Sequence, residues 1–169
     1  WDDDDWSAPE RLDIQYDALS KNNADAVTLY ATLMHVDDPD FFNHPFYGLL
    51  KGGVPPTVMH LRDDSVRFPE LRRTSDTHYK NVWRSRKYLI LGMRDAHLHL
   101  RYFHGKNLWE RDHFLRRMRN TPSDLIAYGW WKFVRGNLLK HPRFRISGDA
   151  QAAFNTYMRD SLSSGLFSN

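Results

Sequence analysis

Between Tyr79 and Phe103, apolar residues recur at alternating three- and four-residue steps: Tyr79, Val82, Leu89, Met93, Ala96, Leu100 and Phe103, with Arg86 filling the one gap. That spacing lays one stripe along an α-helix. It predicts a helix from about Asp76 to His104, roughly 42 Å long at 1.5 Å per residue. Gly105 is its natural stop. An element of that length would dictate how everything else packs.

Helix punctuation recurs elsewhere in the chain. Ser7-Ala8-Pro9-Glu10 offers a cap, an early proline and a returning Glu ahead of Leu12, Tyr16 and Leu19. A helix is expected after Asn23, with Val27, Tyr30, Ala31 and Met34 on one face and Asp37-Asp38-Pro39 as its end. Asn107 to Glu110 and Thr121 to Asp124 open two more, the first turning Leu115 and Met118 inward. A last helix near Gly148 to Leu162 carries Ala150, Ala153, Phe154, Tyr157 and Met158. Residues 38–74 hold Pro39, Pro45, Pro55, Pro56 and Pro69 and read as a loop-rich region with short helices at most, one of them around Phe41 to Leu50. Its aromatic residues are expected to dock on the body of the molecule. With no strand or hairpin signal, the expected fold class is all-α. It would be an irregular domain of five to six helices around one long central helix, spanning 1–169 as a single unit.

A chain of 169 residues with 41% hydrophobic and 14% aromatic residues can bury a real core. The absence of cysteine removes disulfides, thiolate metal sites and a Cys nucleophile. The longest apolar run, Tyr88 to Met93, is far short of the ~20 residues a membrane span needs. The sequence begins at Trp1, so a removed leader or a fragment is expected.

Charge is divided along the chain. Residues 1–61 form an acidic part, with three Lys/Arg against eleven Asp/Glu. Residues 62–145 form a basic part, with twenty against eight, and 146–169 are near neutral. Opposed blocks either pair with each other or address different partners.

Few residues suggest chemistry. The stretch Leu89-Ile90-Leu91-Gly92-Met93 leading into Arg94-Asp95-Ala96-His97-Leu98-His99-Leu100 resembles the first-strand signature of the amidohydrolase superfamily. The resemblance implies a metal held by His97 and His99 and, with it, a metal-dependent hydrolase. In the competing helical reading the two imidazoles point about 200° apart and share no ion. No other histidine has ligand spacing, and no cofactor is expected.

The remaining signal is a basic, aromatic surface. Arg84, Arg86 and Arg94 along the expected long helix, Trp130 and Trp131 in the ring-rich segment, and Trp1 and Trp6 bracketing the acidic start are the expected partner contacts. Phe133 is assigned to the core by helical spacing. In its Arg/Trp/His-rich middle, its non-Met start and its helical pattern, the chain resembles lineage-specific accessory subunits of mitochondrial F-type ATP synthases and respiratory complexes. That resemblance implies a non-catalytic accessory subunit, peripheral to the mitochondrial inner membrane, contacting other protein subunits and cardiolipin or another anionic lipid. An RNA-binding or ribosome-associated protein is the alternative, nucleic acid then being the partner, and a secreted or cytoplasmic location is the alternative setting.

Overall fold

The computed structural model describes residues 5–70, 74–105 and 110–167. In chain order these residues form β1 (Trp6–Ser7), α1 (Arg11–Lys21), β2 (Ala26–Leu29), β3 (Ala31–Val36), β4 (Phe46–Leu49) and β5 (Met59–His60). They continue with α2 (Ser75–Arg84), β6 (Tyr88–Leu91), β7 (His99–Phe103), α3 (Arg111–Arg116), α4 (Pro122–Gly129) and α5 (Gly148–Ser163). The fold is therefore mixed α/β, and the all-α expectation is wrong.

Two sheets are present, ordered β1-β7-β3-β4 and β5-β2-β6. They are nearly one. The chain from Ala26 to Val36 bends only at Tyr30, with β6 parallel to its first half and β7 parallel to its second. Leu29 pairs with Leu91 and Leu33 with Leu100. The partner chain thus carries a surplus between those two pairs, taken up by a 3₁₀ excursion over Met93–Leu98.

Both faces of the four-stranded (upper) sheet are covered, which is why its strands do not show in the sequence pattern. Ala31 and Leu33 of β3, with Leu100 and Tyr102 of β7, pack under Ala150, Phe154 and Tyr157 of α5. Met34 and Val36 turn to the other face and meet Phe114, Leu115, Met118 and Tyr128. All ten residues of β2 and β3 are buried. A strand buried on both sides shows no polar alternation, so any spacing, including a helical one, can be picked from it. Gly48 of β4 makes room for a side chain of the neighbouring strand: a Cβ there would lie 2.6 Å from Met34 Cγ of β3.

The long central helix is absent for a related reason. Only Ser75–Arg84 is α-helical, and the rest of that stripe belongs to two strands and the 3₁₀ excursion. In β7, Leu100 and Tyr102 pack toward α5 while Phe103 is buried on the other side, a two-residue alternation that the three-four pattern masked. α1 does form, but with its faces reversed. Arg11, Gln15 and Leu19 are buried, whereas Leu12 and Tyr16 are exposed. The expected short helix around Phe41 to Leu50 is instead turn followed by β4. Phe41, Phe46 and Tyr47 dock on the body as expected, while Phe68 is exposed. α5 matches its expected range and buries Ala150, Phe154 and Tyr157.

Candidate functional site

Two regions concentrate unusual chemistry. The first is a buried polar network at the edge of the upper sheet, where β1 pairs with β7, Trp6 opposite Leu100 and Ser7 opposite His99. Ser7 Oγ lies 3.1 Å from His99 Nδ1, and Arg11 Nη1 lies 2.7 Å from that Oγ and 3.2 Å from the same Nδ1. A guanidinium only donates, so Nδ1 must accept and the ring proton sits on Nε2. Nε2 faces Asp5 Oδ2 at 3.4 Å, a long contact, and has no better-aligned partner among the described residues. Asp5 also accepts from the Tyr102 backbone N–H at 3.2 Å and from Arg101 at 3.4 Å. Arg11 continues the network to Gln15 Oε1 at 2.9 Å and to the Pro56 carbonyl at 3.1 Å.

Burial and charge set the protonation states of this network. Burial would raise the Asp5 carboxyl, but His99, Arg101 and the Tyr102 N–H together outweigh it and hold Asp5 below the usual carboxylate range. Burial pushes His99 down, against the pull of Asp5, so the imidazole is neutral. Burial also lowers Arg11 to about 10, still charged at neutral pH. Ser7, His99 and Asp5 are ordered like a nucleophile, base and orienting acid. However, the Ser7 oxygen is capped by Arg11 and His99 is 3% exposed. We read this network as the clasp that fixes β1 and α1 to the sheet.

His97 and His99 take separate partners. His97 sits in the 3₁₀ excursion, with Nδ1 2.8 Å from the Arg94 carbonyl and Nε2 3.9 Å from Glu10. It lines a cleft of about 280 Å³ with Trp6, Glu10 and Asp149. Among the described residues no three His, Asp or Glu side chains gather to hold a metal ion.

The expected partner-contact residues are dispersed. Trp1 lies outside the described residues. Trp6 points its indole N–H to Asp160 at 3.3 Å and meets Tyr157 edge-on. Arg84 ends α2, whereas Arg86 pairs with Asp63 at 2.7 Å and lies over the Trp83 ring, and Arg94 is exposed in the 3₁₀ excursion. These three arginines therefore share no helix. The opposed charge blocks do pair in part: Arg101 with Asp5, and Arg111 with Asp38 at 2.9 Å.

The second region is α4 and the π-helical turn Trp130–Val134 that extends it. Thr121 Oγ1 caps α4 by accepting from the Asp124 N–H at 3.1 Å. The Asp124 carboxylate takes Arg143 at 2.6 and 3.0 Å, and the Asp124 carbonyl lies 3.2 Å from His141 Nε2. Asp124 and Tyr128 thus root one face of the helix in the body. The opposite face carries Ile126, Trp130, Phe133 and Val134, at i, i+4, i+7 and i+8. Ile126 is 74% and Phe133 77% exposed, with Leu125, Trp130 and Val134 more than half exposed. The core assignment of Phe133 is overturned: Tyr128 fills the inward position instead. Trp131 is half-buried. Sequence reasoning missed Ile126 and Val134 as surface groups, although a segment apolar on more than one side is itself the signal for a second covered face.

Comparison with protein-family models, curated proteins and solved structures returns no significant match.

Proposed function

We propose that this chain is a docking module, a non-catalytic accessory part of a larger assembly, which engages its partner through the outward face of α4 and the π-helical turn. The observation that carries this reading is the density of exposed apolar side chains there. Five large ones, Leu125, Ile126, Trp130, Phe133 and Val134, fall within ten consecutive residues. Patches of this kind on otherwise well-packed domains mark interaction surfaces. The rooted inner face supports the reading too, because Arg143 and His141 tie α4 to the body through Asp124 and leave its other face outward. A basic face that met only a nucleic-acid backbone would have no use for exposed Ile126 and Phe133 at its centre. The finer setting, a mitochondrial inner-membrane assembly, is proposed with it.

The test is native mass analysis of the chain drawn gently from its source, in wild-type form and as an Ile126→Ser/Phe133→Ser variant. Recovery of the wild type inside a large particle and of the variant as a free, folded monomer is the expected result. A wild type recovered alone would sink the proposal.

A further inference from the structure

The chain around this face carries a charge pattern that narrows what covers it. From Leu125 to Gly148 the chain holds five Lys/Arg and no Asp or Glu. Asp124 takes one of them, Arg143. Lys132, Arg135, Lys140 and Arg145 are all exposed, and no ion pair joins them to a carboxylate among the described residues. Lys132 Nζ lies 5.4 Å from the Phe133 ring centroid and donates to the Tyr128 hydroxyl at 3.0 Å, which sets this cation beside the apolar face. Gly136, at φ +61°, ends the segment, and the Asn137 N–H closes back on the Trp131 carbonyl at 2.8 Å.

From this arrangement we infer that the occupant of the face is the headgroup region of an anionic phospholipid bilayer. The inference rests on the docking-module reading and names its partner. Ile126 and Phe133 are two turns apart, on the order of 10 Å along the axis, so they enter a flat surface together only if the segment lies parallel to it. Trp130 then falls at the depth where indole rings settle, with Lys132 and Arg135 reaching headgroup phosphates. A second copy of the chain is the poorer occupant, since the face would meet its own uncompensated cations. The segment is too short to cross the bilayer, and no helix among the described residues is long and apolar enough to do so.

Co-sedimentation of the full chain with vesicles tests the inference. Phosphatidylcholine doped with cardiolipin should carry the chain down, phosphatidylcholine alone should not, and added salt should weaken the binding. Lys132→Gln/Arg135→Gln should reduce partitioning on the order of tenfold. Ile126→Ser/Phe133→Ser should reduce it by at least about as much while leaving the circular dichroism and melting temperature unchanged. Failure of the wild type to bind doped vesicles, or equal binding by the apolar variant, overturns the inference. If that same variant nonetheless drops out of the native particle, the lipid is wrong and the docking module stands. If it stays in the particle, both fall.

Discussion

The clasp at β1 and the outward face of α4 break the ordinary burial rule in opposite directions. At the clasp, Asp5, Arg11, Gln15 and His99 are charged or polar and lie inside. At α4, Ile126, Phe133 and Val134 are apolar and lie outside. Buried polar groups cost stability unless each finds a partner, so the clasp is fragile to the loss of any member. Exposed apolar groups contribute little to the fold, so the α4 face can change without unfolding it. One region is defined by what surrounds it, the other by what it leaves open to solvent.

That contrast is most easily broken at the clasp. Asp5→Ala would leave Arg101 and the Tyr102 N–H without their buried acceptor, and denaturant unfolding should show a loss of about 3–5 kcal/mol. A loss below about 1 kcal/mol would mean that water reaches these groups and that the clasp is not buried in effect.

Acid should act next. His35 is fully buried and burial pushes it to about 4, while His99 and His141, also buried, are lowered for the same reason. Below the ordinary value of 6.5 the unfolded chain takes up protons that the folded chain refuses. Stability from these groups is therefore complete above pH 6.5 and is lost as pH falls toward 4. His35 alone accounts for roughly 3 kcal/mol of that loss. Asp5 and Asp124, both held low, extend the loss below the ordinary carboxylate value of 3.8. A melting temperature flat from pH 7 to 4.5 would contradict the neutral, buried imidazoles.

The joint between the two regions' behaviours is Asp124. Asp124→Asn keeps the shape but removes the charge opposite Arg143, and should cost about 1.5–3 kcal/mol, read by thermal unfolding. The smallest effect sharpens the comparison most: Ile126→Ser/Phe133→Ser should move stability by no more than about 0.5 kcal/mol. A larger loss would place those side chains in the core after all.

How much of this was legible follows from the same physics. α5 could be read because one face meets the sheet and the other meets water, the condition under which a three-four stripe is informative. The strands β2 and β3 could not, since both are buried throughout, β3 with helices over both faces, and leave no polar alternation. The clasp was hidden for a different reason: Leu12 and Tyr16 advertise an apolar face on α1 that the fold turns outward in favour of Arg11 and Gln15. Tertiary partners, His99 of β7 and the Pro56 and Thr57 carbonyls, make that choice favourable, and no local pattern announces them. The α4 face was half legible. Its excess of rings was visible and pointed to a second covered surface, but the assignment of Phe133 to the inside chose the wrong side of the helix.

The position of β1 has a consequence for the order in which the molecule assembles. Its hydrogen-bonding partner β7 lies more than ninety residues later in the chain, and the Trp6 indole settles against Tyr157 and Asp160 of α5, later still. During synthesis β1 and Arg11 therefore emerge long before anything exists to receive them. The β2–β3 chain can pair with β4 early, but the four-stranded layer closes only after most of the chain has left the ribosome. Such long-range closure is slow, and until it occurs the β7 side of β3 is an open strand edge. A nascent chain stalled before α5 would be the form most exposed to aggregation and most in need of a chaperone.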